Sequence, residues 1–295
     1  GEVTWERSLG DEVEAKYGAP YYYMHRGDLH AALADIVPSE RISHGMRLSR
    51  FEMWGDRVEL YFENGERIKA DLMIGADGVH SVVREQLFGP EQARFTGRVA
   101  YRTTFPASLL EEPLLDGSCK WWGPDRHIVM YYVNPARDEV YFVTSTPEPE
   151  FKVESWSKVG NLNTLRNAYT GFNPRVGAVL NACPAVHKWA LVEREPMPRW
   201  SGDRVTLLGD ACHPMTPYMA QGASTSIEDA AVLSRVLANV APTDINKALD
   251  IYENARKPRT ARIQRISRLN DIEKIRAEID AVFSYNAWEV SLEGA

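Results

Sequence analysis

The segment Gly209-Asp210-Ala211-Cys212-His213-Pro214 constrains this chain more than any other. A short apolar run, residues 204–208, precedes it. A loop containing Pro214 and Pro217 follows, and then Gln221-Gly222-Ala223. From residue 222 to 240 the apolar positions Ile227, Ala230, Ala231, Leu233, Leu237 and Val240 recur at helical spacing. A strand therefore delivers an aspartate into a turn, and a helix starts at small residues just beyond it. A helix N-terminus offers unbonded N–H groups and a partial positive charge, so it favours an anionic group. An upstream aspartate accepts hydrogen bonds from sugar-type hydroxyls. Each piece taken alone also fits a capped helix after a Pro-rich loop; together in one stretch they point to a ligand.

A second segment repeats the logic. Residues 67–74 read as a strand ending in Gly75-Ala76-Asp77-Gly78, with a helix expected from about His80 to Leu87 and Ser81 in its first turn. Gly75 and Gly78 allow a close approach of backbone to a ligand. An ordinary strand–turn–helix connection explains the spacing as well. Just upstream, residues 57–63 read as a strand joined to the next by Glu63-Asn64-Gly65-Glu66, a strong hairpin signal.

Between these segments the texture changes. Residues 98–105, 127–133 and 139–145 are rich in Val, Tyr and Thr and are separated by turn clusters such as Asn134-Pro135-Ala136-Arg137-Asp138. They predict a mainly antiparallel sheet with helices near 161–170 and 174–182. Earlier, residues 28–37 predict a short helix with Asp28 as N-cap and Leu29, Leu33, Ile36 and Val37 on its apolar face. Residues 244–275 are strongly helical and charged. The order is α/β, then a β-rich block, then α/β again.

Bulk chemistry excludes several functions. Lys+Arg 34 against Asp+Glu 41 gives a net charge of −7, with no basic run, which argues against nucleic-acid or anionic-membrane binding. No apolar stretch approaches a membrane span. Three scattered cysteines, Cys119, Cys183 and Cys212, predict reduced thiols in a cytoplasmic protein, and no Cys/His spacing resembles a zinc site.

Together the two segments resemble the DG and GD motifs of group A FAD-dependent aromatic monooxygenases with the p-hydroxybenzoate hydroxylase fold. Both stand in the family's order and flank a β-rich block of the size of its substrate domain. The resemblance implies an α/β fold: an FAD-binding Rossmann-like domain interrupted by a mainly antiparallel β-sheet substrate domain and closed by C-terminal helices. It divides the chain into 1–93 (FAD-binding, first part), 94–196 (substrate domain), 197–258 (FAD-binding, second part) and 259–295 (C-terminal helical segment). It also implies a role for particular residues. Asp210 would bond the ribityl chain of FAD, and the helix start at Gly222 and Ala223 would face the flavin pyrimidine edge. Asp77 and Gly78 would lie near FAD. The stretch His25-Arg26-Gly27-Asp28-Leu29-His30 matches a further family element, whose Arg26 would contact FAD. Leu48 would pack by the adenine half.

Within the family the resemblance extends furthest to the 6-hydroxynicotinate 3-monooxygenases, with the salicylate hydroxylases as near relatives. It is carried by residues 120–132, by Tyr141-Phe142-Val143-Thr144 and by Met219-Ala220-Gln221-Gly222. His127 and Tyr131 lie four apart, which on a strand puts both on one face. The pattern alone favours a surface sheet with cross-strand aromatic packing, a reading that the resemblance reverses. The resemblance makes Tyr131 the acceptor of the substrate's hydroxyl proton. An ordinary Tyr pKa near 10 is high for that task, and His127 is the candidate partner. Substrate-contact positions would be His127, Tyr131, Tyr218 and Cys119. Two departures bear on substrate choice: Tyr218 stands where the nicotinate enzymes carry His, and Ser118 stands where they carry Cys, with Cys119 one position off.

The implied reaction consumes NADH or NADPH and O2 to hydroxylate a small aromatic acid, with loss of its carboxylate as CO2. The first candidate is 6-hydroxynicotinate to 2,5-dihydroxypyridine; salicylate or another hydroxybenzoate is the alternative. The family opens with a βαβ unit carrying Gly-x-Gly-x-x-Gly. None of the 20 glycines here has that spacing, and the chain begins at Gly1 in polar sequence. The expectation is therefore an N-terminally truncated fragment that binds FAD weakly by itself, a flavin-free, non-catalytic chain being the third reading. The long C-terminal helices suggest a homodimer.

Overall fold

The computed structural model describes residues 1–91, 93–115, 117–151 and 159–292. Residues 92, 116, 152–158 and 293–295, which fall in the expected first FAD-binding part, substrate domain and C-terminal segment, lie outside the described residues. Two helices, α1 (Asp11–Tyr17) and α2 (Arg26–Ile36), open the chain. Strands β1 (Leu48–Trp54), β2 (Arg57–Phe62), β3 (Arg67–Ala70) and β4 (Met73–Gly75) lead to α3 (Val82–Phe88). Next come β5 (Arg94–Pro106), β6 (Cys119–Trp122), β7 (His127–Tyr132) and β8 (Glu139–Pro147), then α4 (Leu162–Ala168), α5 (Pro174–Ala182) and β9 (His187–Glu193). The chain closes with β10 (Ser201–Gly202), β11 (Val205–Leu207), α6 (Gly222–Leu237), α7 (Ile245–Leu269) and α8 (Ile272–Phe283).

These elements form two compact units, residues 1–42 with 95–192 and residues 43–94 with 193–295. The first holds a five-stranded sheet in the order β6-β7-β8-β5-β9. Strand alternation sorts its side chains. Ile128 and Met130 of β7 turn into a core with Val140, Phe142, Val99 and Tyr101, covered by Leu165 of α4 and Val176, Val179 and Leu180 of α5. Each of those helices starts where the sequence supplies a cap: Asn161 accepts from the Thr164 N–H and Asn173 from the Arg175 N–H, with Pro174 at the first helical position. His127, Val129 and Tyr131 take the opposite face of β7.

Residues 1–42 cluster with this sheet, although the sequence groups them with the flavin-side segment. The reason is aromatic packing: the Tyr23 ring lies 4.6 Å from that of Tyr131. Helix α2 begins at Arg26, not Asp28. His25, in extended conformation, occupies the N-cap position, and Asp28 falls inside the first turn, 3.7 Å from His25 Nδ1. The expected apolar face of α2 is not buried; Leu33 and Ile36 are exposed.

In the second unit, β1, β2 and β3 form an antiparallel sheet. The Asn64-Gly65 turn joins β2 to β3 as expected, with Gly65 at φ +88°, a conformation that side chains disfavour. The run at 67–74 is two strands rather than one. It divides at Asp71-Leu72: β3 pairs with β2, while β4 leaves to run parallel to β11 (Val205↔Met73, Leu207↔Gly75). Backbone pairing drives the division, since the Met73 N–H donates to the Arg204 carbonyl at 2.9 Å. A core of Val58, Val205, Leu207, Val232, Leu249 and Tyr252 joins these strands to α6 and α7. Fully burying each such aliphatic side chain contributes roughly 1.5–3 kcal/mol. The helical stretch from 244 onward breaks at Asn270, which adopts the left-handed conformation (φ +47°) between α7 and α8. Among the described residues no helix is long and apolar enough to cross a membrane.

Candidate functional site

In the second unit, the loops after β4 and β11 leave the same, carboxyl end of a parallel strand pair, the usual place for a ligand in an α/β sheet. The loop after β4 carries Asp77 and Gly78. The Asp77 carboxylate accepts from the Ser81 hydroxyl and from the Val83 N–H (3.2 Å), while Ser81 caps α3 through the Arg84 N–H at 2.9 Å. Asp77 therefore holds the start of α3, which begins at Val82 instead of near His80.

The loop after β11 carries Asp210, exposed in a single 3-10 turn, Gly209–Ala211. No hydrogen bond from the described residues reaches its carboxylate. Gly209 has φ +65°, and a Cβ there would meet Ser226 Oγ at 2.8 Å. Helix α6 starts at Gly222 with no side-chain cap; the first N–H that turns inward is that of Thr225, to the Gln221 carbonyl at 2.9 Å. The N–H groups of Gly222, Ala223 and Ser224 stay available beside small, accessible residues. An unused carboxylate near uncapped helix N–H groups is the donor and acceptor set that a polyol chain ending in an electron-poor ring requires. The residues present fit FAD. Leu48 is half-buried at the start of β1 against this unit's core.

Three residues that sequence reasoning passed over hold these loops. Arg84 is buried, and its guanidinium donates to the Ala211 carbonyl (2.9 Å) and the Val79 carbonyl (2.7 Å). Burial, with Arg194 nearby, lowers its pKa. Asp229, fully buried in α6, accepts from the Gly209 N–H at 3.1 Å, from the His213 ring and from Arg256 Nε at 2.7 Å. Burial opposes charge on Arg256, but Asp229 and Glu228 outweigh it and raise the guanidinium above its ordinary pKa. Cys212, His213 and Asp229 lie close enough together to suggest a metal site. With Arg256 already bonded to Asp229, the local cation is the guanidinium. The only sequence signal for this network was a polar residue on the apolar stripe of each helix.

The first unit carries the other predicted residues. Tyr131 lies between the rings of Tyr23 (4.6 Å) and Tyr141 (5.0 Å). Burial and the neighbouring tyrosines push its pKa up, and Arg102 pulls it down. His127 is buried, with its ring 4.5 Å from Trp122. Burial, Lys120 and Arg98 push its pKa down to about 2, so it is a neutral imidazole. The polarising neighbour of Tyr131 is thus Arg102, a residue the sequence did not single out. Arg102 reaches Tyr141 and stands 4.2 Å from the Trp189 ring.

The structure does not bring Cys119 to Tyr131. Cys119 pairs with Met130, on the core face of the sheet, and borders a cavity of about 210 Å³ with Leu114, Trp121 and Val179. One residue earlier, Ser118 bonds the Tyr23 phenol. A one-residue step on a strand changes face, so Ser118 and not Cys119 stands on the Tyr131 side. Arg26 is exposed at the start of α2 in the first unit, and Tyr218 is buried in a 3-10 turn of the second.

The profile of the FAD binding domain family matches residues 55–267. The 6-hydroxynicotinate 3-monooxygenase of Bordetella bronchiseptica is 42% identical over 289 residues, covering 97% of this chain and 75% of the relative. That of Pseudomonas fluorescens is 39% identical, covering 99% and 76%. A salicylate hydroxylase in complex with substrate superposes with a TM-score of 0.77 at 25% identity, covering 91% of this chain and 73% of the other. The chain belongs to the FAD-binding domain family, in its branch of flavin-dependent aromatic-ring monooxygenases. Its cofactor is FAD, and its substrate class is a hydroxylated aromatic acid.

Proposed function

We propose that this enzyme hydroxylates 6-hydroxynicotinate with loss of its carboxylate as CO2, giving 2,5-dihydroxypyridine at the expense of NADH or NADPH and O2. The observation that carries this reading is the face of β7 on which Tyr131 and His127 stand with Arg102 and a wall of tyrosines. Bound FAD supplies the reduction of O2 and the transfer of one oxygen atom to the ring.

The chain's own residues do the rest. Asp210 binds the cofactor's polyol chain. The N–H groups at Gly222 and Ala223 stabilise negative charge on its ring. Asp77 and Gly78 shape the adjoining turn, and Leu48 would hold the cofactor's adenine part. As a phenolate favoured by Arg102, Tyr131 accepts the proton of the substrate's ring hydroxyl, which leaves a neutral phenol and passes the negative charge to the substrate oxygen. Neutral His127 accepts or donates one hydrogen bond without changing charge.

Salicylate as substrate is the second reading, favoured by the likeness to salicylate hydroxylase and by Tyr218 and Ser118 at the two departing positions. Oxidation of NADH by the native protein with each acid, and identification of the aromatic product, separates the two. Formation of catechol from salicylate, with no 2,5-dihydroxypyridine from 6-hydroxynicotinate, would sink the first. The same reading has the enzyme act in the cytoplasm as a homodimer paired through its C-terminal helices. Sedimentation of the native protein as a monomer would remove that pairing.

A further inference from the structure

Lys120 stands opposite Val129 in the β6–β7 ladder, whose other pairs include Trp122↔His127. Val129 lies between His127 and Tyr131 on one strand face, so Lys120 projects onto that face, diagonal to both. Its ammonium sits 4.2 Å from the centre of the Trp122 ring, which in turn lies 4.5 Å from the ring of His127. The lysine therefore leans toward the His127 end of the strand, away from Tyr131.

Among the described residues three cations serve this face, and two are occupied. Arg98 donates to Ser145 Oγ (2.7 Å), to the Ser145 carbonyl and to the Asp125 carbonyl. Arg102 is held by Tyr141 and Trp189. Lys120 has no carboxylate or hydrogen-bond partner among the described residues; its one contact of this kind is the Trp122 ring. Burial lowers its pKa to about 8, so at neutral pH it remains mostly charged, with no counter-charge among the described residues. A half-buried ammonium without an anion is costly unless a ligand supplies one.

We infer that Lys120 is the anchor for the carboxylate of the aromatic substrate, selecting ring acids that carry the hydroxyl away from the acid group. The inference rests on the proposed reading of the β7 face as the substrate side. With the acid at the Lys120–Trp122 end and the hydroxyl at Tyr131, the two groups are drawn to opposite ends of the ring. That arrangement suits a para relation, as in 6-hydroxynicotinate, better than the ortho relation of salicylate.

The test uses the native flavoprotein and the variants Lys120→Met and Lys120→Arg. Removing a charge-assisted contact is expected to raise KM for 6-hydroxynicotinate about tenfold or more, with kcat changed far less. Lys120→Arg is expected to recover most of the loss. Binding of 2-hydroxypyridine, which has no acid group, is expected to be alike in wild type and Lys120→Met, and unchanged flavin absorbance reports an intact fold. An unchanged KM for the acid in Lys120→Met overturns the inference. If the wild type does not turn over 6-hydroxynicotinate, the proposed substrate falls, and Lys120 is decided by Kd values for salicylate and 4-hydroxybenzoate read from flavin spectral changes. There, equal affinity in wild type and Lys120→Met, or no binding of any aromatic acid by the wild type, overturns it too.

Discussion

The guanidinium of Arg84 donates to the carbonyl of Ala211 at 2.9 Å, joining the turn after β4 to the loop that presents Asp210. A second bond to the Val79 carbonyl, at 2.7 Å, makes the side chain a clip from the first loop to Ala211, 127 residues further along the sequence from Arg84. Arg84→Met leaves two carbonyls without their donor. It is expected to cost about 3 kcal/mol of stability and to weaken FAD binding as the Asp210 loop loosens. Denaturant unfolding and flavin titration check both effects; a variant as stable as wild type would show that the clip is dispensable.

Asp210 should behave in the opposite way. Its carboxylate is exposed and bonds none of the described residues. Asp210→Ala is expected to lower FAD affinity by roughly ten- to a hundredfold, the worth of a charge-assisted hydrogen bond, while the apoprotein unfolds at nearly the same denaturant concentration as wild type. Equal FAD affinity in the two proteins would remove Asp210 from the cofactor site.

Tyr131 is raised above an ordinary phenol by burial and its tyrosine neighbours, with Arg102 acting against them. Tyr131→Phe is expected to cut ring hydroxylation at least tenfold and leave FAD bound. Arg102→Gln is expected to depress kcat across the neutral range, because the phenol then loses the cation that favours its charged form. Product formation per NADH consumed is the readout. Undiminished product formation by Tyr131→Phe would take the proton-acceptor role from it.

His127 sets an acid limit on the first unit. Its pKa falls from an ordinary 6.5 to about 2 on folding, chiefly through burial. Between those values the unfolded chain binds the extra proton, so stability rises with pH there and is lost as pH falls below about 6.5. Each pH unit of that window is worth at most about 1.4 kcal/mol. His127→Gln is expected to flatten the acid limb of unfolding measured from pH 4 to 7. A slope equal to that of wild type would mean that other groups govern it.

Much of the fold was legible because the signals were local. Asn64-Gly65 makes its turn from its own backbone preference, and the helices at 162–168 and 174–182 start at Asn161 and Asn173, whose side chains cap them without help from distant parts. The division of the run at 67–74 was not legible, since both halves have strand composition and only β11 determines where the second half goes. The clip by Arg84 and the Asp229–Arg256 pair were hidden for a related reason. A buried charge in a helix reads as an interruption of the apolar stripe until its partner, far along the chain, is in place.

The sequence by itself determined the loops that fit a flavin. Gly209-Asp210 after an apolar strand, and Gly222-Ala223 at a helix start, are short-range arrangements whose chemistry depends on neighbouring residues alone. Tertiary structure decided what stands around Tyr131. Strand register put Lys120 on its face and turned Cys119 to the other, and Ser118 bonds the Tyr23 phenol beside it. Burial made His127 neutral, and β5, one strand beyond β8, supplied Arg102 as the cation near the phenol. Charge state and facing depend on contacts between strands remote in sequence, and those exist only once the sheet has formed.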